Sequence, residues 1–258
     1  MNFDLEGKMA LITGATKGIG FAAAAALARA GAAVIVNGRA AADAEAAADR
    51  LGAGARGIAA DVGTVAGCAA LARQAGEVDI LVNNAGIFEA GDFFEADDAL
   101  WDRHWQVNVM SAVRLSRALA PAMVTRGWGR IVMLGSESAF NIPPDMIHYG
   151  VSKTADVALA RGLAKRLAGT GVTVNSVLPG PTLSDGVRAM LGEQAAAQGQ
   201  SIEQAAEAFV RTHRPSSILQ RPASVEEVAN MILYVCSPLA SATTGAALRV
   251  DGGVIDSL

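Results

Sequence analysis

At 258 residues the chain is long enough for one large α/β domain, and no Pro/Gly/Ser-rich or charged segment divides it, so we expect a single domain over residues 1–258. The net charge of −4 and the absence of a Lys/Arg-rich tract disfavour a nucleic-acid partner. The acidic N-terminal segment is unlike a secretory signal, and charge and glycine interrupt the apolar run at 21–36, so we expect a cytoplasmic protein with no membrane anchor. The cysteines and histidines lack the spacing of metal ligands, so we expect no metal site.

Strand-like and helix-like runs alternate along the chain. In order, the pattern predicts a strand at 9–13, a helix at 18–30, a strand at 33–36, a helix at 41–51, a strand at 56–60, a third helix, a strand at 78–82, a long helix at 101–126, a strand at 130–134, a helix at 148–168, a strand at 172–177, a helix at 225–236 and a strand at 247–250. Apolar strands that alternate with helices indicate a doubly wound, Rossmann-type parallel sheet of about seven strands with helices on both faces. Such a fold binds ligands at the carboxyl ends of its strands.

The segment between the first strand and the first helix has the glycine spacing of a phosphate-binding loop. It reads Gly-x-x-x-Gly-x-Gly and lacks the Gly-Lys-Ser/Thr ending of an ATP or GTP loop. Glycine lets the backbone approach a phosphate closely, and the N-terminus of the helix offers free N–H groups. A tight turn without a ligand is the alternative, but we expect dinucleotide binding by Gly14, Thr16, Lys17, Gly18, Ile19 and Gly20.

The end of the second strand bears on the choice of cofactor. An NAD site normally has an acidic residue there to hold the ribose 2′-hydroxyl. This chain has Asn37 and then Arg39, which can pair with a 2′-phosphate, and Lys17 adds a second positive charge. The sequence therefore favours NADP(H), with NAD(H) left open because both cations can also be ordinary surface charges.

A candidate proton-transfer group follows the fifth strand. Tyr149 and Lys153 are four residues apart and share one face of a helix, and Ser136 precedes the tyrosine by thirteen residues. A fixed ammonium beside a phenol favours the phenolate, so the phenol can exchange a proton with a carbonyl or alcohol oxygen. A serine hydroxyl can hydrogen-bond the same oxygen. The spacing alone is common in solvated helix pairs, and it becomes specific only beside a nucleotide site.

Taken together, these residues resemble the short-chain dehydrogenase/reductase family over nearly the whole chain. Besides the glycine loop and the serine, tyrosine and lysine, the matching positions are Asp61-Val62, Asn83-Asn84-Ala85-Gly86, Asn108, Pro179-Gly180, Thr182, Ser184, Gly245 and Asp251-Gly252-Gly253. Each match is weak alone, and their order along the chain is what makes the resemblance specific.

The resemblance implies roles for these positions. The catalytic residues would be Ser136, Tyr149, Lys153 and Asn108, with the tyrosine as general acid, the lysine on the nicotinamide ribose, and the asparagine main chain holding a water. Cofactor contacts would come from Asp61 and Val62 at the adenine, from Asn83, Ala85 and Gly86 near its ribose, and from Tyr149, Lys153, Pro179, Gly180, Thr182 and Ser184 around the nicotinamide half. The resemblance also implies a homotetramer or, less commonly, a dimer.

The substrate is the least defined part of this interpretation. Ser138, Phe140 and Met146 are candidate substrate contacts, and the long segment 183–220 predicts a lid of one or two helices. The expected activity is NAD(P)(H)-dependent interconversion of a carbonyl and a secondary alcohol, with a 3-oxoacyl thioester or another ketone as plausible substrates. The alternatives are an NAD-dependent alcohol or sugar dehydrogenase running oxidatively and a nucleotide-binding protein without catalysis.

Overall fold

The computed structural model describes residues 3–52 and 54–257 and centres on one parallel sheet. Its seven strands lie in the order β3-β2-β1-β4-β5-β6-β7, and every neighbouring pair is parallel. The strands are β1 Met9–Ile12, β2 Ala33–Gly38, β3 Ala55–Ala59, β4 Ile80–Asn83, β5 Gly129–Leu134, β6 Val172–Pro179 and β7 Ala247–Val250. The chain winds outward from β1 to β3 and then returns to place β4 on the other side of β1, so the strand order reverses between β1 and β4.

Helices cover both faces of the sheet. They are α1 Gly18–Arg29, α2 Ala41–Leu51, α3 Val65–Ala75, α4 Asp98–His104, α5 Ser111–Arg126, α6 Ile147–Arg166, α7 Asp185–Ala197, α8 Ile202–His213 and α9 Val225–Cys236. Short 3₁₀ turns lie at Glu137–Ala139 and Pro238–Ala240. The doubly wound fold predicted from the sequence is confirmed. Within the described part of the chain, no helix is both long and apolar enough to cross a membrane.

The core divides into two layers because successive strand residues point to opposite faces. Ala10 and Ile12 of β1 lie in one layer with α1 and α9, whereas Leu11 lies in the other with α3, α5 and α6. Four of the six alanines of α1 are buried, and their small side chains let this helix pack closely against α9. This packing holds the N-terminus of α1 at the carboxyl end of β1, where the glycine loop lies.

One predicted helix differs from the structure. The sequence indicates a continuous helix over 101–126, but a π-helical turn at Trp105–Met110 separates α4 from α5. The backbone stays helical at both junctions, so α4, the π turn and α5 form one continuous helical rod. The rotation per residue changes within the π turn. The apolar residues of this short segment do not distinguish a π turn from the α-helix on either side of it. Such turns occur frequently at functional sites.

Candidate active site

The glycine loop leaves main-chain donors open at the start of α1. Lys17 is the N-cap residue, and its side chain makes no capping hydrogen bond. Instead, the Gly18 N–H donates to a carboxylate oxygen of Asp185 at 2.9 Å, which shows that this helix terminus accepts an anionic group. Gly14 and Gly18 both have φ of +60°, a conformation that favours glycine. The loop therefore has the free N–H groups and the backbone geometry that a pyrophosphate requires.

Close packing also fixes Gly20. A Cβ there would collide with the side-chain amide of Asn84, would lie 2.7 Å from the Gly14 carbonyl oxygen, and would lie 2.9 Å from the Ala15 Cα. At Gly14, a Cβ would lie 3.0 Å from the Ala85 Cα. These two glycines let the loop fold directly against the end of β4, as the sequence pattern predicts for a cofactor cradle.

Asn84, which the sequence analysis matched only as part of a segment, supports the glycine loop. Its side-chain amide donates to the carbonyl oxygens of Thr13 at 2.7 Å and Gly14 at 3.0 Å. Asn83, which we expected near the adenine ribose, instead directs its side chain inward to Ser116 and Met133. The two adjacent asparagines point to opposite faces of the strand end, and strand alternation was the signal that separates them.

The expected adenine-side residues lie around the ends of β2 and β3. Asn37 is buried, and its amide donates to the carbonyl oxygens of Gly38, Ile58 and Ala60 at 3.1 to 3.3 Å. Its side chain therefore braces β2 against β3. Arg39 and Lys17 are exposed, as is Asp61, whose carboxylate accepts from the Gly63 N–H at 2.9 Å.

Asn108 lies in the π turn and is 2% exposed. Its amide donates to the Ile87 carbonyl oxygen at 3.0 Å and to the Ser152 hydroxyl at 2.9 Å, and its Oδ1 accepts from the Ile87 N–H at 2.8 Å. The side chain thus joins the loop after β4 to α6, and its amide and its carbonyl oxygen are both hydrogen-bonded within the protein. Any contact of this residue with a catalytic water must use the main chain, as the resemblance implies.

Ser136, Tyr149 and Lys153 line one cavity of about 420 Å³ at the carboxyl ends of the strands. Ser136 follows β5, and its Oγ accepts from the Ser138 N–H at 3.1 Å, so its own hydroxyl proton is available to a ligand. The other predicted site residues that line this cavity are Lys17, Gly18, Ile19, Gly20, Gly86, Ser138, Met146, Pro179, Gly180, Thr182 and Ser184. The structure therefore brings together predicted residues from five separate segments.

Other predicted residues lie outside this cavity. Gly14, Thr16, Asn37, Arg39, Asp61, Val62, Asn83, Ala85 and Asn108 do not line it, and all but Asn108 belong to the adenine side or the base of the glycine loop. Phe140, predicted as a substrate contact, is also absent from the lining, and its side chain is 55% exposed.

The segment after β6 is held by the C-terminal turn. A Cβ on Gly180 would lie 2.7 Å from the Asp251 carbonyl oxygen, so this position accommodates only glycine. The Asp251 carboxylate accepts from the N–H groups of Gly253 at 3.1 Å and Ile255 at 2.9 Å, which fixes that turn. The Thr182 hydroxyl donates to the Gly180 carbonyl oxygen at 2.9 Å. The predicted Asp251-Gly252-Gly253 ending thus supports the border of the cavity from behind.

Lys153 is held by Asp156, an acid that the sequence pattern did not indicate as part of the site. Its ammonium donates to Asp156 Oδ2 at 3.2 Å and to the Leu134 carbonyl oxygen at 2.7 Å. Burial raises the pKa of Asp156 to about 6, although the Lys153 ammonium opposes this change. Burial is the largest influence and alone lowers the pKa of Lys153, but the charges of Asp156 and Tyr149 and the hydrogen bond to Asp156 together outweigh it, so the net direction is upward. Both groups are therefore ionised in neutral solution.

A second buried ion pair borders the cavity beside the serine. Arg214, in the segment after α8, donates its Nε–H to Glu137 Oε1 at 2.7 Å, and the Ser138 hydroxyl donates to the same oxygen at 3.2 Å. Glu137 is 3% exposed, and burial raises the pKa of its carboxyl against the effect of the Arg214 guanidinium. Among the described residues, no group of three or more His, Cys, Asp and Glu side chains is arranged to hold a metal ion.

Comparison with known proteins identifies the family. The family model described as short chain dehydrogenase matches residues 8–195. The uncharacterized oxidoreductase YvaG of Bacillus subtilis (strain 168) is 43% identical over 263 residues, covering 100% of both chains. The 3-oxoacyl-(acyl-carrier-protein) reductase FabG of Escherichia coli (strain K12) is 34% identical over 98% of this chain and 99% of its own.

A solved structure supports the same family assignment through its fold. L-sorbose reductase from Gluconobacter frateurii, complexed with NADPH and L-sorbose, matches with a TM-score of 0.94 and 33% identity, covering 100% of both chains. The chain therefore belongs to the short-chain dehydrogenase family. It is an oxidoreductase that interconverts a carbonyl and an alcohol by hydride transfer with a nicotinamide dinucleotide.

Proposed function

We propose that the chain is an NADP(H)-dependent ketone reductase in which Tyr149 donates the proton. The observation that carries this proposal is the single cavity lined by Ser136, Tyr149 and Lys153 together with Gly18 of the phosphate-binding loop. That arrangement places an acid–base group and a dinucleotide cradle at one strand edge, where a doubly wound sheet binds its ligands.

The side chains divide the work of reduction among them. Reduction adds a hydride to the carbonyl carbon and a proton to its oxygen, and the nicotinamide supplies the hydride when bound. The Tyr149 hydroxyl gives its proton to the oxygen and is left as a phenolate, which the Lys153 ammonium stabilises. Ser136 donates a hydrogen bond to the same oxygen. Its Oγ accepts a hydrogen bond from the Ser138 N–H, which leaves the hydroxyl proton for the substrate.

The residues of the glycine loop fit a dinucleotide, and two exposed cations favour NADP(H) over NAD(H). The N-terminus of α1 has no side-chain cap and already accepts an anionic oxygen from Asp185. Arg39 and Lys17 are both exposed, and either can pair with a 2′-phosphate. Position 37 is an asparagine, whose side chain bonds between β2 and β3 and carries no negative charge that would repel that phosphate.

We infer that α7 and α8 form a lid over the substrate. Met190 and Leu191 of α7 and Phe209 and Val210 of α8 line the cavity, and Phe88 completes an apolar wall. Arg214 is the charged residue of the lid segment that lines the cavity, and it pairs with Glu137. These features favour a ketone with an apolar body, a class that includes 3-oxoacyl thioesters, the substrates named for the FabG relative.

The remaining expectations concern the molecule as a whole. We propose a single domain over residues 1–258 that acts in the cytoplasm as a homotetramer, with a dimer as the alternative. Sedimentation analysis of the purified chain distinguishes these oligomeric states.

The Tyr149→Phe variant tests the proposed reaction. It removes the hydroxyl and keeps the ring, so we expect ketone reduction to fall about 10³-fold while NADPH binding stays nearly unchanged. Turnover with a panel of ketones and NADPH fluorescence titration measure the two effects. Tyr234→Phe is the matched control because Tyr234, in α9, is the second of two tyrosines and lies outside the cavity. A Tyr149→Phe enzyme that reduces ketones at nearly the wild-type rate contradicts the assignment.

A further inference from the structure

Three functional groups lie along one face of α6. Tyr149, Lys153 and Asp156 follow each other at intervals of four and three residues, which places them in a row. The Lys153 ammonium lies between the other two, 3.2 Å from Asp156 Oδ2 and 5.9 Å from the centre of the Tyr149 ring. The side chains of Lys153 and Asp156 are 5% and 4% exposed, so water screens their charges poorly.

The Asp156 carboxylate beside Lys153 weakens the effect of the ammonium on the Tyr149 phenol. An isolated ammonium beside a phenol favours the phenolate, whereas a carboxylate beyond it favours the protonated phenol. Because the two charges of the pair nearly cancel at a distance, the phenol experiences less positive potential than Lys153 alone would provide. Asp156 Oδ1 has no hydrogen-bond partner among the described residues, so nothing else on the described chain neutralises this carboxylate.

We propose that Asp156 is a positioning residue that acts as the counter-charge of Lys153, so that the Lys153 ammonium favours the Tyr149 phenolate less strongly than it would alone. A protonated hydroxyl is the form that donates a proton during reduction, whereas oxidation of the alcohol uses the phenolate, so this counter-charge favours the reductive direction. The inference rests on the proposed acid–base role of Tyr149.

The other charged groups near this row are occupied elsewhere. His104 of α4 contacts His148, with ring centres 4.4 Å apart, and the His148 Nε2 lies 3.0 Å from the Glu89 carbonyl oxygen. Glu137, in the 3₁₀ turn packed on α6, pairs with Arg214.

The remaining elements packed on α6 add no competing charge. The π turn and β6 carry no titratable side chain, and the Arg130 guanidinium of β5 lies over the Trp128 ring at the other end of that strand. The Asp156 carboxylate is thus the acid that faces the Lys153 ammonium within the described chain.

A purely mechanical role for Asp156 predicts the opposite result. If Asp156 served only to hold the ammonium near the phenol, its removal would release Lys153 and make the phenol harder to ionise. If Asp156 acts as a counter-charge, its removal makes the phenol easier to ionise. The direction of the change therefore separates the two roles.

The chain permits a direct measurement because it contains only two tyrosines. In a Tyr234→Phe background, the ultraviolet absorbance of phenolate reports Tyr149 alone and needs neither cofactor nor substrate. We expect Asp156→Asn to lower the midpoint of this titration by about one pH unit, the size that a unit charge about 10 Å away produces at an effective dielectric constant of 20. Asp156→Glu, which keeps the charge, is the matched control and should leave the midpoint nearly unchanged.

A second pair of variants keeps the test decisive if Asp156→Asn does not fold. Lys153→Gln should raise the midpoint, and adding Asp156→Asn to it should lower the midpoint again, since this double variant buries no charge at either position. An unchanged or raised midpoint on removal of the carboxylate, in folded protein, overturns the proposal. Because the titration involves no turnover, that result is distinct from a failure of the proposed reductase activity, which the Tyr149→Phe assay reports.

Discussion

The two sides of the catalytic cavity use different parts of the polypeptide. On the cofactor side, the loop between β1 and α1 offers main-chain N–H groups, and its shape depends on glycines packed against β4. On the lid side, α7, α8 and the segment that follows offer side chains, including the buried pair of Arg214 and Glu137. Main-chain groups recognise what all dinucleotides share, whereas side chains can differ with each substrate. Substitutions on the two sides should therefore affect different ligands.

The first prediction concerns the cofactor side and has the larger expected effect. Arg39→Gln should weaken NADPH binding about 10- to 100-fold, the effect of losing a charge-assisted hydrogen bond to the 2′-phosphate, and leave NADH binding nearly unchanged. Lys17→Gln should act in the same direction. Fluorescence titration with both dinucleotides measures the difference.

Arg73→Gln is the control for this prediction because Arg73 is an exposed arginine in the last turn of α3. Equal losses for NADPH and NADH in the Arg39 variant would remove the basis for preferring NADP(H). Tight NADH binding by the wild-type chain, with no gain from the 2′-phosphate, would do the same.

The second prediction concerns the lid side and has a smaller expected effect. Arg214→Gln leaves the buried Glu137 carboxyl without its cation, so we expect KM for the ketone to rise about 10-fold while NADPH binding stays constant. Because burial raises the pKa of Glu137 and Arg214 opposes this effect, loss of the arginine should move protonation of Glu137 to higher pH. Any change of KM with pH that follows protonation of Glu137 should therefore occur at higher pH in the variant than in the wild type.

Arg188→Gln is the matched control on the same lid. Arg188 pairs with Glu203 at 3.1 Å, but both side chains are about half exposed, at 47% and 61%. Exposed ion pairs contribute little, so this variant should behave like the wild type. If Arg188→Gln and Arg214→Gln alter KM equally, the buried pair has no special part in substrate binding.

The contrast between the two sides also explains what could be predicted from the sequence. The glycine loop is local, because Gly14, Gly18 and Gly20 fall within one turn between a strand and a helix, and so does the Tyr149–Lys153 spacing on α6. Alternation of apolar runs was enough to predict the parallel sheet, since β1, β2, β4, β5 and β6 are buried on both faces almost throughout. Local pattern thus predicted the fold, which is confirmed, and the cofactor side that we propose.

Non-local contacts could not be predicted in the same way. Arg214 and Glu137 are 77 residues apart, and nothing near either residue indicates the other. Asp156 lies only three residues after Lys153, but the spacing does not show that both side chains are buried. The π turn around Asn108 has ordinary helical composition. These features depend on how segments pack, which one sequence does not reveal.

The central claim is that this chain transfers hydride to a ketone from a cofactor bound at its glycine loop. The most direct measurement uses NADPH carrying deuterium at the transferred position, together with a panel of ketones and 3-oxoacyl thioesters, and mass spectrometry of the alcohols formed. The account predicts deuterium on the new carbinol carbon with the wild-type chain. Tight NADPH binding without transfer of label to any carbonyl compound in the panel would contradict it.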